Sequence, residues 1–254
     1  MVYGHHVGSI EVFGGNPRLW GEDRDGIDKS LSGPGSDLER TVRLRRKLAE
    51  IVVEHRVESI VDAPCGDLFW MSHFLAEHPG ISYVGFDAMA ASVEAARRRI
   101  VGLGLANARV EHADLASTIL PCADLVLERD GLQHLPDREA LRVLGRFVES
   151  GARLLVATVN LTDPHRHNEE IEIGGYRPIN LLMPPFSLPP PLAIHPEQLG
   201  DEFIDDQKYF GIWDLDAVRR FYEVHPAPWR GELPKPASRL RRALRWRLRR
   251  LLRA

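Results

Sequence analysis

The amino-acid sequence predicts an α/β protein, a doubly wound, mostly parallel sheet with helices on both faces, and three observations carry that reading. From residue 38 onward, segments with a helical apolar period alternate with short strand-like runs. Four of those runs end in polar, turn-forming residues, as strands do where they feed a helix. The composition, 44% apolar and 27% charged over 254 residues, supplies one sizeable core.

The elements follow in order. Leu38 to His55 carries Leu38, Val42, Leu44, Leu48, Ile51 and Val52 near one helical stripe, with Ser36 as its expected cap. Val57 to Val61 reads as a strand that stops at Asp62 and the turn Ala63-Pro64-Cys65-Gly66. Helix is predicted for Leu68 to Glu77, Ala90 to Val101 and Arg138 to Glu149. Strand is predicted for Ile81 to Phe86, Ala108 to His112, Ala123 to Leu127 and Arg153 to Val159. Five strands joined through helices imply βαβ units. Residues 160–200 are rich in Pro, Gly, His and Asn, with six prolines between Pro184 and Pro196, and read as a long cover loop, neither helix nor interior strand. Gln207 to Trp213 adds a strand and Leu215 to Tyr222 a helix. Three units result: a lead-in or lid (1–37), a main domain (38–232) and a tail (233–254).

Charge divides the chain. Nine of its 33 basic residues follow Glu232, where no acid occurs, so 24 bases balance 36 acids over residues 1–232, a net of −12. A body of that sign repels polyanions, which leaves only the tail for contact with nucleic acid. In the tail Leu240, Leu244, Leu248, Leu251 and Leu252 form one stripe among arginines, with Trp246 off it. Such a segment reads as a helix on an anionic membrane surface through residues 239–254, as a docking helix for an acidic partner, or as a helix packed on its own acidic body. No apolar run approaches the roughly 18 residues of a membrane span, and the first residues do not form a signal peptide. Cys65 and Cys122 build neither a disulfide scaffold nor a zinc cage. The expected setting is cytoplasmic, with membrane association at the inner face as an option.

In an open parallel sheet, ligands bind at the carboxyl ends of the strands where the strand order reverses. The candidate ends are Asp62 to Asp67, Gly85-Phe86-Asp87, His112-Ala113-Asp114 and Glu128-Arg129-Asp130. An acid at the end of the second strand, about 20 residues beyond the first turn, suits two ribose hydroxyls and hence a nucleoside cofactor. Taken singly, each Asp is a turn or cap residue; Trp70 and Met71 fit core packing as well as a cofactor pocket, and Cys65 fits packing better than nucleophilic attack.

These residues resemble the class I S-adenosylmethionine-dependent methyltransferases. Asp62 with Cys65-Gly66 is similar to their first motif, Asp87 to the ribose-binding acid and Asp114 to the acid facing the adenine amine, at spacings of 25 and 27 residues. Pro64 and Leu68 depart from it where many members have Gly. A narrower similarity, to a bacterial branch whose first motif reads Asp-Ala-Pro-Cys-Gly-Asp, runs through Asp62 to Met71, Arg129 to Leu135, Gly174 to Leu181 and Pro185 to Pro191. The resemblance implies a Rossmann-like three-layer sandwich of seven strands in the order 3-2-1-4-5-7-6, the last antiparallel. It also implies S-adenosyl-L-methionine as cofactor, held by Asp62, Cys65, Gly66, Asp87 and Asp114; Pro64, Trp70 and Arg129, in the same strand-end strings, are further expected cofactor contacts.

Asp130 and His134 lie four apart, so one helical turn after the fourth strand would put them on one face. Two readings stand: His134 as general base with Asp130 fixing its tautomer, or a structural hydrogen bond. His165, His167, Glu169, Glu170 and Glu172 lack the spacing of a metal motif and read as a solvated loop, so no metal is expected. Tyr176, Arg177 and Asn180 are the expected acceptor contacts and suit a polyhydroxylated ligand. The chain is thus expected to methylate a hydroxyl of a sugar, glycan or other small molecule, lipid-linked acceptors included. A non-catalytic cofactor- or glycan-binding protein of the same fold is the alternative, and a nucleic-acid methyltransferase docked through the tail a third reading.

Overall fold

The computed structural model describes residues 30–161, 168–197 and 208–230. Residues 239–254, His165 and His167, and most of the lead-in lie outside the described residues.

Seven strands form one sheet in the order β3-β2-β1-β4-β5-β7-β6. They are β1 (Ser59–Asp62), β2 (Ser82–Asp87), β3 (Ala108–His112), β4 (Leu125–Glu128), β5 (Leu154–Asn160), β6 (Ala193–Pro196) and β7 (Lys208–Asp214). β1 to β5 run parallel, with Val61 opposite Val84 and Val126, while β7 is antiparallel to β5 and β6 to β7. The expected order and antiparallel strand are both present. β6 falls inside the expected loop, and its place at the sheet edge reconciles it with Pro196, because an edge strand tolerates a missing N–H.

Helices α1 (Val42–Glu54), α2 (Phe69–Glu77), α3 (Ala90–Leu103), α4 (Asp137–Glu149) and α5 (Leu215–Val224) cover the faces. α1 starts four residues later than its periodicity indicated. Ser36 lies in a separate 3₁₀ turn, Pro34–Ser36, and does not cap it; the capping position belongs to Thr41. Val42 is correspondingly half exposed, and Leu44, Leu48 and Ile51 make the buried stripe. α4 carries Asp137 and Glu139 in its first turn and Arg146 in its last, as its dipole favours. α5 is capped by Asp214, which accepts from the Ala217 N–H at 2.8 Å.

Two apolar layers sandwich the sheet. One gathers Val84, Val126, Leu144, Phe147, Leu155 and Trp213; the other gathers Leu48, Ile60, Phe74, Tyr83, Leu125 and Val156. The cover segment joins the first layer: Ile179, Leu181, Leu182, Phe186 and Leu188 are all buried there. It is therefore packed core as well as cover. Its ends are fixed where the Asn160 N–H donates to the Ile179 carbonyl at 2.7 Å and the Trp213 Nε1 donates to the Pro189 carbonyl at 2.8 Å.

Candidate active site

Strand order reverses between β1 and β4, so their carboxyl ends open the crevice where a ligand binds in this architecture. The loop after β1 forms one wall. Gly66 has a left-handed φ of 57° and Leu68, capping α2, one of 58°. The second value explains the glycine common there in the resembling family: Leu68 holds a conformation that glycine takes without strain. Cys65 is buried with its N–H on the Phe86 carbonyl, and a Cβ on Gly85 would come 2.8 Å from its Sγ. Burial and neighbouring acids push the thiol well above its ordinary range, so Cys65 packs against β2 as an uncharged group. Pro64 closes against the loop after β4, where a Cβ on Gly131 would lie 2.3 Å from its ring.

Three buried acids stand at strand ends. Asp62 accepts from the Tyr83 hydroxyl at 2.7 Å, and burial raises its pKa to about 8. Asp87 accepts the Gly66 and Met89 N–H groups, each at 2.8 Å, and burial raises it to about 6. These two bonds fix the Asp87 carboxylate while each oxygen keeps a lone pair for a further donor. Glu128 accepts from the N–H groups of Gly131, Leu132 and Thr158 and is raised, again by burial, to about 7. The strand-end string contained Glu128, but no spacing rule gave it a role; an acid closing an otherwise apolar strand was the available signal. Asp114 is half-buried and builds the turn after β3, accepting from the Ala116 N–H and the Ser117 hydroxyl. Trp70 is buried among core residues and carries the Arg129 guanidinium 5.8 Å above its ring; Met71 belongs to the core alone.

Arg129 and Asp130 differ from expectation. Arg129 is buried and engaged by its own chain: Nε donates to Glu197 Oε1 at 3.0 Å and Nη2 to the Gly35 carbonyl at 2.7 Å. Asp130 has a left-handed φ of 58° and lies outside the following 3₁₀ turn, Leu132–His134, so the two residues do not share a helical turn. Its carboxylate is paired with Lys208 and Arg129. Lys208 also reaches Glu197 at 3.2 Å. Residues 67 and 78 positions away thus complete the cluster, for which the sequence carries no local signal.

His134 Nδ1 lies 2.9 Å from the Gly175 carbonyl. A carbonyl only accepts, so Nδ1 carries the proton and Nε2 keeps the lone pair. The expectation that Asp130 sets this tautomer is corrected: the cover backbone sets it, and Asp130 acts on the ring through its charge. Desolvation holds His134 below the ordinary histidine pKa, against the Gly175 bond and Asp130; Lys208 adds to the lowering. The imidazole is neutral at pH 7.

Of the expected acceptor contacts, Tyr176 is the exposed one, at 55%, with its ring centroid 5.6 Å from that of His134. Arg177 is corrected to an internal anchor. It is 2% exposed, pairs with Asp137 at 2.6 Å and donates to the Leu135 carbonyl at 3.0 Å. Asn180 closes a turn, its side-chain oxygen accepting from the Leu182 N–H and its backbone bonded to Asn168. Among the described residues, no three His, Cys, Asp or Glu side chains gather closely enough to hold a metal ion.

No family profile matches the chain, and no curated protein matches it. Solved structures do. The mitomycin 7-O-methyltransferase MmcR aligns with a TM-score of 0.50 at 17% identity, over 74% of this chain and 64% of its own. An O-methyltransferase family protein from Burkholderia thailandensis gives 0.49 at 18%, over 69% and 57%. NcsB1, an O-methyltransferase from neocarzinostatin biosynthesis solved with S-adenosylmethionine and 2-hydroxy-5-methyl naphthoic acid, gives 0.47 at 17%, over 71% and 59%. The chain spans less than two thirds of the length of each. At such identities the likeness is one of architecture, and with the observed strand order it establishes that this chain has the Rossmann-like, seven-stranded methyltransferase fold.

Proposed function

We propose that the protein is an S-adenosylmethionine-dependent methyltransferase acting on a hydroxyl of a small molecule, with sugars and glycans as the first acceptor class to try. The observation that carries this reading is the presence, at one end of the sheet, of a backbone-fixed Asp87 together with a neutral His134 that carries its proton on Nδ1. The residues present fit the cofactor: Asp87 retains acceptor capacity for a vicinal diol, and the loop from Asp62 to Leu68 contains no Lys or Arg that a phosphate would call for. Asp87 would hold the ribose and Asp114 the adenine amine, with Asp62, Pro64, Cys65, Gly66 and Trp70 forming the wall.

When bound, the cofactor supplies an electrophilic methyl group on a sulfonium. The chain's task is positioning and proton removal, because a neutral hydroxyl is a poor nucleophile. His134 Nε2 takes the hydroxyl proton, Gly175 keeps the ring in the useful tautomer, and Tyr176 offers a ring face to the acceptor beside it. Arg129 and Asp130 contribute through the charge cluster that frames this end. Replacing His134 by Ala should lower turnover by about 10²- to 10⁴-fold while leaving S-adenosylhomocysteine affinity within a factor of three. Full turnover in that variant removes the assignment. Asp87→Ala should weaken cofactor binding by more than tenfold, since two charge-assisted hydrogen bonds are lost, read by calorimetry.

The basic stripe at 239–254 supports a contact with an anionic membrane surface, and a lipid-linked acceptor with it. Co-sedimentation with anionic vesicles at low salt, lost on removing residues 235–254, is the expected result; a chain that stays in solution contradicts it.

A further inference from the structure

Residues 30–36 cross the mouth of the β1–β4 crevice. At one end they hold the loop after β1: the Ser30 hydroxyl donates to Asp67 Oδ1 at 2.8 Å, the Leu31 N–H donates to Asp67 Oδ2 at 2.9 Å, and the Asp67 N–H donates to Ser32 Oγ at 3.3 Å. At the other end they hold the loop after β4, where the Gly35 carbonyl accepts from Arg129 Nη2 at 2.7 Å. A Cβ on Gly35 would stand 3.7 Å from Asp130 Oδ2. Between these ends Ser32 sits directly over Gly66, whose Cβ, if it had one, would lie 2.2 Å from the Ser32 oxygen. The segment therefore spans from one lip of the crevice to the other.

The attachment is polar. The sequence Ser30-Leu31-Ser32-Gly33-Pro34-Gly35-Ser36 has two aliphatic side chains, Leu31, which is half-buried, and Pro34, which is exposed. Its glycines flank Pro34, and Gly33 has a φ of 88°. Ser30, Gly33 and Ser36 are buried, so the strap is held by enclosed polar contacts more than by apolar packing, and its release costs those hydrogen bonds. Asp67 remains fixed without it, because the Phe69 N–H and Arg99 also bond its carboxylate.

We infer that residues 30–36 form a wall of the cofactor site, closing over the bound nucleoside cofactor, and that cofactor exchange requires the strap to release. This rests on the methyltransferase reading above. On that reading the ligand would lie between Asp67 and Arg129, under the segment that joins them, and its exchange would need one of these two attachments to let go.

The test is stopped-flow binding of S-adenosylhomocysteine to the full-length protein and to the Ser30→Ala/Ser32→Ala double variant, followed by tryptophan fluorescence. Association and dissociation should both accelerate, by about tenfold, the weight of one hydrogen bond to a charged partner, with the equilibrium constant moving less than threefold. Wild-type protein that binds nothing while the variant binds also supports the strap. Binding with equal rates in both overturns the strap and leaves the methyltransferase reading intact; no binding in either overturns both. Hydrogen exchange on the unmodified chain gives a second readout: the amides of residues 31–33, 35 and 36 should slow when S-adenosylhomocysteine saturates, and unchanged exchange there overturns the inference.

Discussion

At His134, desolvation and Lys208 favour the neutral ring while the Gly175 bond and Asp130 favour the charged one, and desolvation is largest. A base must be neutral to act, so the rate should fall only as pH drops through a value below the ordinary histidine range, and stay flat through neutrality. Lys208→Met removes a cation and leaves Asp130 less compensated; the acid limb of the pH–rate profile should move upward. Asp130→Asn should move it down. Equal profiles for all three proteins would mean that this cluster does not set the base. Asp62 offers a stability counterpart. Its folded pKa, about 8, lies above the ordinary aspartate value, so the folded state binds a proton that the unfolded chain has released. Stability from this residue is therefore present in acid and lost as pH rises from about 4 to about 8. Asp62→Asn imitates the protonated form and should flatten that decline in urea unfolding. Neither effect could be read from the sequence. The acids at strand ends were visible by spacing, but the tautomer of His134 depends on a carbonyl 41 positions away.

Elements were legible where periodicity is strong and partners are local. The four helices and five strands from Val42 to Asn160 lie within a few residues of their expected places, because all but the edge strand β3, which buries Val110 alone, bury an apolar stripe or run of their own. The cover segment was legible only by exclusion, since prolines say what a segment is not. β6 and the apolar stretch from Ile179 to Leu188 depend on surfaces supplied by β7, α4 and α5. Arg177 shows the cost of that gap. Embedded among Gly, Tyr and Pro it reads as a ligand contact, yet it locks the cover to the start of α4 through Asp137. Removing one member of a buried ion pair strands the other, at about 3–5 kcal/mol. Arg177→Met should therefore destabilise the fold by several kcal/mol in denaturant titration; a loss below about 1 kcal/mol would restore Arg177 as a candidate acceptor contact.

Over the whole molecule, the crevice is bordered by acids that burial has brought into the physiological range, Asp87 at about 6, Glu128 at about 7 and Asp62 at about 8. Burial raises all three; two and three backbone N–H groups stabilise the charged forms of Asp87 and Glu128 and hold them below Asp62, to which Tyr83 gives a single hydroxyl donor. Between pH 6 and 8 this end of the sheet gains negative charge. The methylated cofactor carries a sulfonium cation and the demethylated product a neutral thioether, while their ribose and adenine are the same. Rising pH should thus strengthen S-adenosylmethionine binding relative to S-adenosylhomocysteine, because only the cation gains from the new charge. The preference should rise by at least severalfold across that interval, since acids and sulfur share a low-dielectric crevice. Calorimetry of both ligands at pH 6, 7 and 8 gives the ratio directly. An invariant ratio would show that the acids keep their protons when the site is filled, and that the fold uses them as neutral hydrogen-bonding groups instead of as a field that favours substrate over product.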